Sequence, residues 1–212
     1  MNRRLMLKQL GALTALSAAA PSLLAQQARF VTLPNPVEGD TPGKIEVLEF
    51  FHYGCPHCKD FDPLLNTWKK SLAEDVAVRR VPAIWGNAQL RELARLYYTI
   101  ETAGLVDTLH EPVFAAVQQQ KRPLHTEEGV RAWLSGYPDV DVEAFMSTYK
   151  SFGLQAMIQR ADQLARTFRV QGVPTMAVGG RYLTSASMTG SHASALDMVD
   201  ELIVKVRAEQ GS

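Results

Sequence analysis

Cysteine is nearly missing from this chain. Its 212 residues hold two, Cys55 and Cys58, with only Pro56 and His57 between them. That scarcity excludes a disulfide-rich scaffold. A closed structural zinc site needs about four Cys/His ligands. No second Cys/His cluster exists, because His52, His110, His125 and His192 are scattered, so no metal is expected. Haem attachment requires a histidine directly after Cys-x-x-Cys, and that place is taken by Lys59. Net charge is missing as well: 22 basic residues balance 22 acidic ones, with no long basic run, which leaves no electrostatic case for nucleic-acid binding. Internal repeats and low-complexity tracts are absent.

A membrane-spanning run is also lacking. The longest uncharged apolar stretch, Leu10 to Ala25, is shorter than the ~20 strongly apolar residues of a span, rich in Ala and Ser, and broken by Pro21. It follows Arg3, Arg4 and Lys8, and no acidic residue occurs before Glu38. That order is the n-region and h-region of a secretory signal. Residues 1–25 are read as a signal peptide cleaved near Ala25, although Leu23 fits poorly at the first position of an A-x-A site. "RRLMLK" also resembles a twin-arginine export signal, without the usual residue at Asn2. Removing residues 1–25 takes away three basic residues and no acidic ones, leaving a net charge of −3. Outside the cytoplasm two free thiols tend to oxidise, so they are a liability unless they cycle.

The full sequence is 46% hydrophobic and 21% charged, fitting one large domain or a domain with an inserted subdomain. Pro- and Gly-rich residues 29–43 read as an extended lead-in. "KIEVLEFFH", residues 44–52, reads as a central strand buried on both faces. A helix is expected directly after it, with Pro56 at its first position, Phe61, Leu64, Leu65, Trp68 and Leu72 at helical spacing, and a kink at Pro63. Residues 76–85 read as a second strand. From Asn87 to Phe168 the pattern is helical. One helix stops at Gly104, a short one has Pro112 near its start, one is capped by Thr126, and one by Asp141. The clearest runs from Leu154 to Phe168 with a single apolar stripe. "VPTMAVGGRYL" reads as a hairpin turning at Gly179-Gly180, and a last helix carries Leu196, Val199, Leu202, Ile203 and Val206 on one face. The simplest architecture is an α/β core interrupted by a helical insertion.

Cys-Pro-His-Cys at a helix start can close a small disulfide ring. Reduced, Cys55 faces unpaired backbone N–H groups and the positive end of the helix dipole, and His57 adds a possible donor or positive charge. Both effects lower the thiol pKa of Cys55, and a stabilised thiolate is a good leaving group. Cys58, one turn further on, is expected to be buried and to resolve a mixed disulfide. A purely structural staple is the competing reading, but so short a ring constrains the unfolded chain weakly. Strand periodicity places Glu49 on the face of Ile45, Val47 and Phe51, where a buried carboxyl with a raised pKa suits proton exchange with Cys58. An edge-exposed Glu49 without a role is the alternative. Val173-Pro174-Thr175 enters a strand, and X–Pro statistics alone favour a trans bond.

"VLEFFHYGCPHC" followed far downstream by "GVPT" resembles the DsbA family of thioredoxin-fold disulfide oxidoreductases, across essentially the mature chain. The resemblance implies a thioredoxin fold with an inserted helical subdomain: residues 26–86 and 169–212 as the two parts of the thioredoxin domain, residues 87–168 as the insertion. It implies that Pro174 is cis and packs beside the disulfide, that Val173 offers backbone hydrogen bonds to a substrate strand, that Cys55 is the exposed attacking sulfur and Cys58 the resolving one, and that Glu49 is the buried acid with Arg79 as a basic partner nearby. It further implies a periplasmic dithiol oxidase, acting as a monomer on newly exported unfolded proteins with reduced cysteines. Re-oxidation by a DsbB-type membrane quinone reductase would follow, without a dissociable cofactor. An isomerase or reductase of the same fold, or a module that only binds unfolded chains, are the alternatives. His52 and Gly54 stand where relatives vary. His110, His125 and His192 receive no role.

Overall fold

The computed structural model describes residues 28–211, so the expected signal peptide lies outside the described residues. Five strands form one mixed sheet in the order β1-β5-β4-β2-β3. They are β1 (Val31–Thr32), β2 (Ile45–Phe51), β3 (Val76–Pro82), β4 (Thr175–Val178) and β5 (Tyr182–Thr184). β2 and β3 run parallel, and the remaining neighbours are antiparallel. Every residue of β2 is buried, Glu46 and Glu49 included, as expected for a strand covered on both faces.

Alternation along the strands divides the core in two. Ile45, Val47, Val76, Met176 and Val178 point to one face and meet Phe61 and Leu65 of α1 (Pro56–Lys69) and Val199, Leu202 and Val206 of α8 (His192–Gln210). Leu48, Phe50, Val81, Ala177 and Leu183 point to the other face. It is covered by helices that lie between β3 and β4 in the chain: α2 (Ala88–Thr102), α3 (Val106–Gln118), α4 (Glu127–Leu134), α5 (Val142–Tyr149) and α6 (Phe152–Thr167). A short α7 (Ala186–Thr189) precedes α8. No helix among the described residues is long and apolar enough to cross a membrane.

Local signals account for most boundaries. Thr126 and Asp141 cap α4 and α5 by accepting from the N–H groups of Gly129 and Ala144. Gly104 just beyond α2 has a φ of +70°. The hairpin β4–β5 turns at Gly179-Gly180, and Gly180 is required there: a Cβ would meet the Val37 carbonyl oxygen at 1.9 Å.

Within the extended lead-in, Val31–Thr32 pairs with β5 as the edge strand of the sheet. Three expectations are corrected. The second strand ends at Pro82 rather than residue 85. α3 begins at Val106, so Pro112 lies in mid-helix; Leu105 supplies the cap position without a side-chain bond, which leaves Asp107 in the first turn as the local signal for that start. α1 runs from Pro56 to Lys69 with Pro63 inside it, and the Thr67 hydroxyl donates to the Pro63 carbonyl. Phe51, the last residue of β2, also departs from simple alternation and packs against Tyr97, His110 and Phe114.

Candidate active site

Both cysteines sit where β2 hands over to α1. Cys55 is the N-cap residue in extended conformation, makes no side-chain cap bond, and is followed by Pro56 at the first helical position. No acidic residue stands in the first turn of α1, so the free N–H groups there stay available to a sulfur anion. Cys55 and Cys58 are both free thiols in this structure. Cys58 is fully buried. Cys55 is only 8% exposed, which corrects the expectation of an exposed sulfur. The Val173 carbonyl lies over it, accepting from Cys55 Sγ at 3.4 Å. The Val173–Pro174 peptide is cis, as the family resemblance implied and X–Pro statistics did not.

The two sulfurs are electrostatically opposite. The Cys55 thiol is lowered to about 6, first because the Cys58 thiol donates to it; burial opposes this, and the Cys58 and His57 N–H groups and the His57 charge add smaller contributions in that order. The charge of His57 comes last in that order, after its own N–H group. Cys58 is pushed far up, chiefly by burial and then by the Cys55 sulfur and Glu49.

Glu49 lies 1% exposed on the α1 side of the sheet. Burial raises its carboxyl to about 7, against the pull of Arg80. The basic partner is Arg80, not Arg79. Parallel pairing sets Glu49 opposite Arg80, so both point to the α1 face, with Arg80 Nε donating to Glu49 at 3.1 Å. Arg79 points to the other face and binds Glu46 and Asp40. Arg80 is shared: Nη2 also donates to Asp62 at 2.5 Å and Asn66 at 2.7 Å. Burial would raise Asp62, but His110 and Arg80 outweigh it and hold the carboxyl below its ordinary range. His110 Nε2 is 3.4 Å from Asp62, and its Nδ1 is 2.7 Å from the Tyr53 hydroxyl. With Nε2–H donating to the carboxylate, Nδ1 accepts from Tyr53. Burial keeps His110 below the ordinary histidine value.

Sequence reasoning missed Arg80, Asp62, His110, Tyr53, Gln118 and His192. Asp62 was within reach: four residues after Cys58, it shares the buried face of α1 with Phe61 and Leu65. His192 starts α8 and meets the rings of His57 and Phe61 edge-on at 6.1 and 5.5 Å. Next to them opens a mostly apolar groove of about 940 Å³, lined among others by His57, Val170, Val173, Pro174, Met188 and His192.

Such an arrangement can exchange a disulfide. It offers one thiol stabilised as an anion, a buried partner thiol, a neutral-capable carboxyl near that partner, and an apolar groove lined by Val173, whose carbonyl accepts from Cys55. The family model of the DSBA-like thioredoxin domain matches residues 73–203. The thiol:disulfide interchange protein DsbA of Bordetella parapertussis is 41% identical over 92% of this chain and 93% of its own length. That of Pseudomonas aeruginosa is 38% identical over 84% of each. The crystal structure of Pseudomonas aeruginosa DsbA superposes with a TM-score of 0.83 at 37% identity, covering 87% of this chain and 95% of that one. An oxidoreductase of N. meningitidis follows at 0.78 and 32% identity, over 87% and 95%. With thioredoxin-like topology, an N-capping cysteine pair and these relatives in agreement, the chain belongs to the DsbA family and is a thiol:disulfide interchange protein.

Proposed function

We propose that the chain donates its Cys55–Cys58 disulfide to newly exported proteins in the periplasm of a Gram-negative bacterium. In the oxidised protein a client thiolate attacks Cys55 Sγ, the Cys55–Cys58 bond breaks, and Cys58 takes the electron pair. A second client thiolate then attacks the client sulfur of the mixed disulfide and expels Cys55 as a thiolate. Two client thiols lose two electrons and two protons in total, and the protein's disulfide gains the electrons.

One observation carries the reading: the Cys55 thiol is lowered to about 6 while its partner is raised. A low leaving-group pKa favours release of the oxidised client, and a stabilised thiolate favours the reduced protein, so the disulfide is a ready acceptor. Cys58, by contrast, is a poor anion and needs a proton as it leaves; Glu49, with a carboxyl raised to about 7 and a charge that acts on Cys58, suits that supply. Val173 and Pro174 line the groove beside Cys55, which suits them to hold an extended client segment. Pro56 fixes the helix start and His57 faces the groove.

The n-region and h-region order of residues 1–25 supports export. Residues 26–86 and 169–212 are read as the two parts of the thioredoxin domain and 87–168 as its insertion. Family membership supports re-oxidation by a DsbB-type membrane quinone reductase, with the protein acting as a monomer. Oxidised protein mixed with a reduced, unfolded secreted protein is expected to transfer one disulfide per molecule. Cys55→Ala abolishes the transfer, and Cys58→Ala, which cannot form the donor disulfide, transfers none either. Transfer surviving in Cys55→Ala overturns the mechanism.

A further inference from the structure

The turn that presents Cys55 is four residues long, His52 to Cys55, between the end of β2 and the start of α1. Its one internal backbone bond runs from Cys55 N–H to the His52 carbonyl at 3.0 Å. The carbonyls of Tyr53 and Cys55 belong to residues that are 1% and 8% exposed, and buried carbonyls require donors. The Cys55 carbonyl accepts the first helical bond, from Lys59 N–H at a long 3.2 Å. Both carbonyls are met by one atom from another part of the molecule. Gln118 Nε2, at the last position of α3, donates to Tyr53 O at 2.8 Å and to Cys55 O at 2.9 Å.

A primary amide nitrogen carries two hydrogens, and here each has one acceptor. No other common neutral side chain of this length does the same: glutamate presents acceptors, methionine presents nothing, and asparagine is one methylene shorter. We propose that Gln118 is a positioning residue of the disulfide-exchange reaction, clamping the Tyr53 and Cys55 carbonyls so that Cys55 Sγ stays aligned with the helix N–H groups and the Cys58 thiol. The clamp fixes the peptide planes before Gly54 and after Cys55, in a turn that otherwise holds itself by a single bond. Those planes decide where the Cys55 side chain leaves the backbone. The main stabilising contacts to its sulfur, the Cys58 thiol and the N–H groups of residues 57 and 58, depend on that direction. α3 reaches the same turn a second time through His110, which holds the Tyr53 hydroxyl and Asp62 of α1. The helices between β3 and β4 thereby act directly on the redox turn, and the docking of α3 is coupled to the acidity of Cys55.

The inference rests on Cys55 as the reacting thiol, which the disulfide-transfer assay on the unmodified protein tests separately. For Gln118 the measurement is the pH profile of Cys55 alkylation in the reduced protein, together with the equilibrium against glutathione. Gln118→Met, similar in volume and without donors, is expected to move the alkylation midpoint upward by at least half a unit and to shift the equilibrium threefold or more toward the disulfide form. A purely structural role predicts a lower Tm with midpoint and equilibrium unchanged, and that result overturns the proposal. Should Gln118→Met fail to fold, the unmodified protein still decides. The two Gln118 side-chain N–H protons should exchange with solvent much more slowly than those of exposed Gln120 in the reduced state. Equal rates overturn the clamp. If wild-type protein transfers its disulfide while Gln118→Met titrates normally, Gln118 fails and the exchange mechanism stands.

Discussion

At the scale of single residues, the site works by inequality between like groups. Two thiols three residues apart are driven in opposite directions by one being at the helix mouth and the other inside. Two carboxyls share one guanidinium, and they too diverge: Asp62 has His110 as a second partner and stays ionised, while Glu49 is raised to about 7. The Glu49 shift has a stability consequence whose sign is fixed. Its folded value lies above the ordinary 4.5, so the contribution is fully present below about 4.5 and is lost as pH rises through about 7. In the oxidised protein, where Cys55 carries no charge, urea denaturation at pH 4.5 and pH 8 should show wild type losing about 3 kcal/mol relative to Glu49→Gln. A gap that does not change with pH means Glu49 is ionised throughout. Glu49, Cys55 and Cys58 were legible in the sequence because strand alternation and helix position are local properties. Arg80 was not: choosing between Arg79 and Arg80 requires the register of β3 on β2, which no residue spacing states. The paired contacts of His110 and Gln118 depend on how α3 docks, so the sequence shows them only as one more histidine and one more glutamine.

Between elements, register decides which charges are structural. Apart from Phe51, odd-numbered β2 residues and even-numbered β3 residues face α1 and α8, and the Glu49–Arg80–Asp62 group sits inside that layer with side chains 2–4% exposed. Arg79, on the opposite face, ties Glu46 to Asp40 in the lead-in and is 30% exposed. Removing one member of a buried pair leaves the others uncompensated, which costs about 3–5 kcal/mol, whereas partly solvated pairs are worth about 1 kcal/mol or less. Arg80→Ala should therefore lower unfolding free energy by about 3–5 kcal/mol and Arg79→Ala by about 1 kcal/mol, both read from urea denaturation of the oxidised form. Equal losses contradict the register. The same contrast between local and distant causes explains how the fold was read. α4 and α5 announce themselves through Thr126 and Asp141, and the β4–β5 turn through its two glycines. β1 does not, because two residues acquire strand geometry only from β5, some 150 positions later, with which Val31 and Thr32 pair as Leu183 and Tyr182 do with them.

For the molecule as a whole, redox state and stability are one equilibrium seen twice. Forming the Cys55–Cys58 bond removes the thiolate and with it the stabilisation it draws from the Cys58 thiol, the helix N–H groups and His57. Glu49, Asp62 and Arg80 are present in both forms, so their pH dependence largely cancels when reduced and oxidised proteins are compared. What survives in the difference is Cys55. Its folded reduced value is depressed from 9 to about 6, so the thiolate's stabilisation of the reduced form is present above the unfolded value and is lost as pH falls through about 6. A bond across two intervening residues restricts the unfolded chain little, so the oxidised form gains little in return. At pH 8 the reduced protein should thus melt above the oxidised protein, and the gap in Tm should shrink steadily between pH 8 and pH 5. Thermal denaturation of both forms across that range checks this, with the glutathione equilibrium moving in parallel because the cycle must close. A gap that is constant with pH, or that favours the disulfide form at pH 8, removes the thiolate as the source of oxidising strength. The donor role would then have to come from strain or client binding rather than from the helix mouth that Cys55 occupies.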